Sequence, residues 1–176
     1  MVAFQRSAEV HRTKPAWGLL TALGAAAVGV AMFAAGILTG NLLKVESPET
    51  PGLFARQNAF IALGLFVFVA LKMLLPYLKR EPRLPVFDTG SWKGAVTLAF
   101  VLGINVFLVG IGVGFIAEAV GHWHRVVWPM GAGMLLLGSW GIMLGRQGVE
   151  IRPRIWMIMA SILLLGAAIA SVIKAC

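Results

Sequence analysis

The chain has 176 residues, 59% of them apolar and 12% charged, with a mean hydropathy of +0.87. Soluble domains average roughly 45–50% apolar and about 25% charged residues, so this composition excludes an ordinary soluble domain and a disordered chain alike. At about 20 apolar residues per crossing, the length accommodates five or six membrane spans with short connections and leaves no room for a soluble catalytic domain.

Lys and Arg number 15 against 7 Asp and Glu, a formal net charge of +8 with pI ≈ 10.6. The basic residues fall in short connections between apolar runs, where they set orientation and meet lipid head groups, so a nucleic-acid partner is not expected. The single cysteine, Cys176, is the last residue. An intrachain disulfide, a cysteine metal site and a CxxC redox pair are therefore excluded, and Cys176 reads as inert rather than lipidated.

Residues 1–15 are polar and basic and lack the apolar core of a signal peptide. The first span is expected over residues 16–43. The segment KVESPETPGLFARQ (44–57) reads as a loop, because Pro48 and Pro51 interrupt a helix and its charges do not stay in hydrocarbon. A second span is expected over 58–78, with Lys72 near its end and Pro76 as a kink. The highly charged connection KREPRLPVFDTGSWK (79–93) leads to a third span over 94–120, where Glu118 falls in the last turn. A turn GHWHR (121–125) precedes a fourth span at 126–145, and RQGVEIRPR (146–154) separates that from a fifth at 155–173. The apolar runs are continuous rather than alternating, so the expected fold is all-α: one polytopic membrane domain of five transmembrane helices covering 1–176.

One side of that topology carries Arg6, Arg12, Lys14, Lys79, Arg80, Arg83, Lys93, Arg146, Arg152 and Arg154, ten basic residues against four (Lys44, Arg56, Arg125, Lys174) on the other. This bias predicts a cytoplasmic N-terminus and an outward C-terminus.

Polar groups within spans are costly and are the first candidates for a transport path. Asn105, midway along the third span, offers an amide oxygen and two donors; its plainer role is a helix-to-helix hydrogen bond. Glu118 is the second path candidate. Both Glu118 and Lys72 lie near expected span ends, where snorkelling anchors are more common than proton relays. Ser139 and Ser161 read as structural, bonding their own helix backbone. His122 and His124 flank Trp123; two histidines make a weak metal site, and an interfacial aromatic belt is the simpler reading. Gly36/Gly40, Gly110/Gly114 and Gly141/Gly145 each form a GxxxG spacing, which lets helix backbones approach closely. No catalytic triad, HExxH or phosphate-cradling loop is present, so the chain reads as a non-enzyme without cofactors.

Several segments together resemble the MntP-type family of manganese efflux pumps, six-helix bacterial inner-membrane proteins built as two three-helix repeats. FVALKML (68–74) is similar to the end of that family's third helix, and INVFLVGIGVGF (104–115) to its fourth-helix motif. GSWGIMLGRQGVEI (138–151) and LLLGAAIASVI (163–173) resemble the fifth and sixth helices, while HRTKPAWGLLTALGAAAVG (11–29) is similar to the link into the second. On this alignment five spans remain and the first helix is missing, which also yields an inward N-terminus and outward C-terminus. The resemblance implies a divalent-cation path lined by aspartates in the first and fourth helices; here the fourth-helix position is Asn105.

The leading expectation is thus a transporter-like protein of the bacterial inner membrane, a divergent relative of manganese exporters. The rival is a non-transporting scaffold or accessory subunit that keeps the fold without the cation site. The expected partners are the lipid bilayer, a divalent cation and further copies of the chain.

Overall fold

Three of the five helices among the described residues begin on a proline. In the computed structural model, which describes residues 15–44, 51–78, 91–116, 124–147 and 153–175, α1 is Pro15–Leu43, α2 Pro51–Leu78, α3 Trp92–Ile116, α4 His124–Arg146 and α5 Pro153–Ala175. Proline at the first helical position gives up only an N–H that has no acceptor within the helix, and its fixed φ suits the first turn. Pro51 therefore opens α2 where a loop to residue 57 was expected. The helix starts seven residues before the predicted second span and carries Arg56, exposed, in its second turn.

The start of α3 is set by Ser91: its Oγ accepts a hydrogen bond from the Gly94 N–H at 3.2 Å, and its carbonyl accepts from the Ala95 N–H at 3.0 Å. This is an N-cap, worth about 1 kcal/mol in typical helices. His124 and Arg125, expected in a turn, belong to α4, although Pro129 in its second turn has no N–H to give the Arg125 carbonyl.

The segments Trp17–Leu43, Arg56–Leu75, Trp92–Ile116 and Val127–Leu144 are long and apolar enough to cross a membrane, whereas the described apolar run of α5, Ile155–Gly166, is shorter. The chain is a multi-pass, all-α membrane protein.

The packing places small side chains inside and large ones outside. Among the described residues, seven of the fifteen buried hydrophobic ones are alanine, while Leu42, Phe68, Trp128, Leu136 and Leu163 are exposed. In water this arrangement would forfeit most of the hydrophobic driving force. In a bilayer, lipid tails solvate the large residues and close van der Waals contact between small ones holds the helices together. Trp17, Trp92 and Trp156, each in the first turn of its helix, are exposed at the level expected of interfacial anchors.

Spatially the helices run α4, α1, α3, α2, α5, with the most extensive interface between α1 and α3. Gly103 meets Met32, Gly110 meets Phe33 and Gly114 meets Ile37, so α1 and α3 are parallel. Gly18 meets Ile142 and Gly29 meets Met134, so α4 runs against α1; Phe66 meets Gly112 and Lys72 meets Asn105, so α2 runs against α3. Successive helices from α1 to α4 thus alternate in direction, as successive membrane crossings must.

Candidate functional site

The site begins with three glycines spaced by two in α3. Residues i and i+4 share a helix face, while i+2 points to the other side. Gly110 and Gly114 accordingly face α1. A Cβ on Gly110 would lie 2.5 Å from the Phe33 carbonyl oxygen and 3.2 Å from the Gly36 Cα. Gly112 faces α2, where an added Cβ would lie 2.8 Å from Cε1 of Phe66. The run VGIGVG thus lets α3 be clasped from both sides, and the Gly112 contact fixes the distance between α2 and α3 about two turns away, at the polar bridge.

There Lys72 Nζ donates to Asn105 Oδ1 at 2.9 Å. Asn105 is at the midpoint of α3, about 20 Å from Trp92 at a rise of 1.5 Å per residue. Because Gly103 packs on Met32, the bridge is also level with the middle of α1. Lys72 lies near the end of its own span, as expected, but its ammonium meets Asn105 level with the centre of two neighbouring spans. The side chain is nonetheless exposed, at the edge of the packed face of α2 that carries the buried residues Ala62, Phe66 and Val69.

A basic side chain at the centre of a span costs about 2.5–3.5 kcal/mol on insertion scales. One interhelical hydrogen bond offsets on average about 0.6 and at most about 1.7 kcal/mol of that. Asn105 alone does not compensate Lys72. Nor does any carboxylate in the described helices, because all seven acidic residues, Glu9, Glu46, Glu49, Glu81, Asp88, Glu118 and Glu150, lie outside the described residues.

Glu118, His122 and Cys176 likewise lie outside the described residues, and His124 is described only as the first residue of α4. Among the described residues no group of three His, Cys, Asp or Glu side chains comes together. Ser161, fully buried, donates to the Met157 carbonyl at 2.8 Å, the backbone bond that serine chemistry favours within a helix, and Ser139 is half-buried. Gly141 is buried; Gly145 lies in α4, its surroundings outside the description.

Two amides escaped the sequence reading. Asn58 is 1% exposed near the start of α2, and Asn41 near the end of α1 has a buried Nδ2 without a hydrogen-bond partner. Their only signal was an amide inside an apolar run. An apolar groove of about 200 Å³ lies between the first halves of α1 and α3, lined by Trp17, Gly24, Val28, Trp92 and Ala99 among others. Its one hydroxyl, on Thr21, already donates to the Trp17 carbonyl at 2.8 Å, so the groove suits hydrocarbon rather than a polar solute.

Compared with known proteins, the chain matches no family model, no curated protein and no solved structure.

Proposed function

We propose that this protein is a non-transporting subunit of a membrane assembly, resembling small cation exporters in plan but working by helix association rather than by moving a divalent ion. The observation that supports this is the Lys72 ammonium on the Asn105 oxygen. That oxygen is the neutral ligand a cation path would offer at mid-span, and a tethered cation already occupies it. A metal ion arriving about 4 Å from the ammonium would meet a repulsion of about 4 kcal/mol per unit charge at an effective dielectric of 20. Localisation in a bacterial inner membrane with the N-terminus in the cytoplasm belongs to the same proposal, supported by the ten-to-four distribution of basic residues and by the alternating helix directions.

The second reading, a transporter-like relative of manganese exporters, draws on the same bridge: ionisable and amide groups at mid-span are where solute paths lie. It requires Lys72 to leave Asn105 during transport.

The two readings separate in a manganese-sensitive, exporter-deficient bacterial strain expressing the native chain, Asn105→Asp, or Asn105→Asp with Lys72→Met, with cell manganese measured and membrane abundance matched. The native chain is expected to leave growth and cell manganese unchanged. Asn105→Asp alone should do the same, because Lys72 neutralises the new carboxylate. Growth rescue with lowered manganese by the native chain would overturn the assembly reading.

A further inference from the structure

On the outer face of α2, Phe68, Leu71, Lys72 and Leu75 fall at i−4, i−1, i and i+3, all exposed. Val101 and Ile104, exposed beside Asn105, continue this surface onto α3. It is an apolar face, level with the middle of the bundle, carrying one cation. We propose that this face docks a transmembrane helix of a different protein that bears a carboxylate at the middle of its span, the carboxylate pairing with Lys72 while Phe68, Leu71 and Leu75 pack against the partner's apolar side chains. The inference rests on the assembly reading and adds the chemistry of the partner.

Charge decides between occupants. A second copy of this chain offers no acidic side chain from any described helix, and a symmetric contact through this face would bring Lys72 towards Lys72. The phosphate of an anionic lipid sits at the interface, whereas Asn105 holds the ammonium about 20 Å from Trp92. The apolar groove between α1 and α3 does not include Lys72 or Asn105 among its lining residues and leads no aqueous solute to them. A carboxylate carried in by a helix satisfies the charge and covers the apolar surface in one contact. Asn105 then acts as a positioning residue, holding the ammonium through its Oδ1.

The test uses the full native chain reconstituted in phosphatidylcholine vesicles with a labelled single-span Leu/Ala model helix carrying Asp, Asn or Leu at its centre, association being read by energy transfer. The Asp helix should bind at least about tenfold more tightly than the Leu helix. Moving the Asp two turns towards either end should abolish the advantage, as should Lys72→Met, while Lys72→Arg should keep it. The shifted-Asp series uses only the native chain, so the proposal stays testable even if Lys72→Met misfolds. Equal binding of Asp and Leu helices overturns the proposal. So does cross-linking of Lys72→Cys to itself across a native-density homodimer, which assigns the face to a second copy, and so does rapid modification of Lys72 by a water-soluble amine reagent, which shows that water solvates it. Manganese export by the native chain would defeat the assembly reading whatever the model helix does; a chain that neither exports nor binds the Asp helix defeats the partner's chemistry alone.

Discussion

A Cβ placed on Gly114 would lie 2.9 Å from the Cα of Gly40, and one placed on Gly40 would lie 3.0 Å from the Cα of Gly114. α1 and α3 therefore touch backbone to backbone, and neither residue tolerates a side chain unless the helices move apart. Since the obstacle is main chain, it cannot rotate away.

Gly114→Ala and Gly36→Ala should each destabilise the bundle by about 1–3 kcal/mol, the usual range for overpacking. Gly64 provides the control, because nothing lies within 4 Å of a Cβ added there. Gly64→Ala should be neutral or stabilising by up to about 1 kcal/mol through helix propensity. Thermal unfolding of the three variants in one detergent checks this; equal losses at Gly114 and Gly64 would show the seam to be compositional.

Gly112 faces a side chain instead, so its cost should be relieved by a second substitution. Gly112→Ala is expected to lose about 1–3 kcal/mol in the native background and clearly less in Phe66→Leu, where the ring that the new methyl meets is gone. A double-mutant cycle measures this directly. A cycle that closes to zero would mean that α2 and α3 are not set apart by this contact.

The same design applies to the polar bridge. Lys72→Met and Asn105→Leu should show a coupling of about 0.6–1.7 kcal/mol, within the range known for interhelical hydrogen bonds. Asn105→Asp should raise stability above native, since it turns a hydrogen bond into an ion pair in a low-dielectric setting. A fall in unfolding temperature for Asn105→Asp would place the ammonium elsewhere.

Orientation is tested with Cys176→Ser as background. Lys93→Cys and Gln147→Cys, both exposed, sit at opposite chain ends of α3 and α4 but on one face of the alternating bundle. Lys93 is preferred to Ser91, whose hydroxyl caps α3. Both should resist an impermeant thiol reagent in intact cells and react after permeabilisation. Reaction of either from outside reverses the topology.

Much of this fold is legible in sequence because long uncharged runs have one solution in a bilayer. The spans from Trp17, Trp92 and Val127 are cases of this. The start of α2 was not: Pro51 reads as a breaker until one asks which N–H it removes. The GxxxG spacings at Gly36/Gly40 and Gly110/Gly114 are visible one by one, yet nothing in either segment says that each is the other's partner. The fate of Lys72 was hidden for a related reason. Its distance from the end of its own helix suggested an anchor, but depth is set by the stagger of α2 against α3, a tertiary quantity that Phe66 and Gly112 determine.

The order of the helices in space also governs the order of events at synthesis. α1 and α2 emerge before α3 but share no extensive interface; each is built to meet α3, α1 through Gly36 and Gly40, α2 through Phe66 and Lys72. A chain released after α2 holds two helices with matching surfaces for an absent third and a lysine with no amide to receive it. The arrival of α3 is thus the step that lets both helices close their packing surfaces.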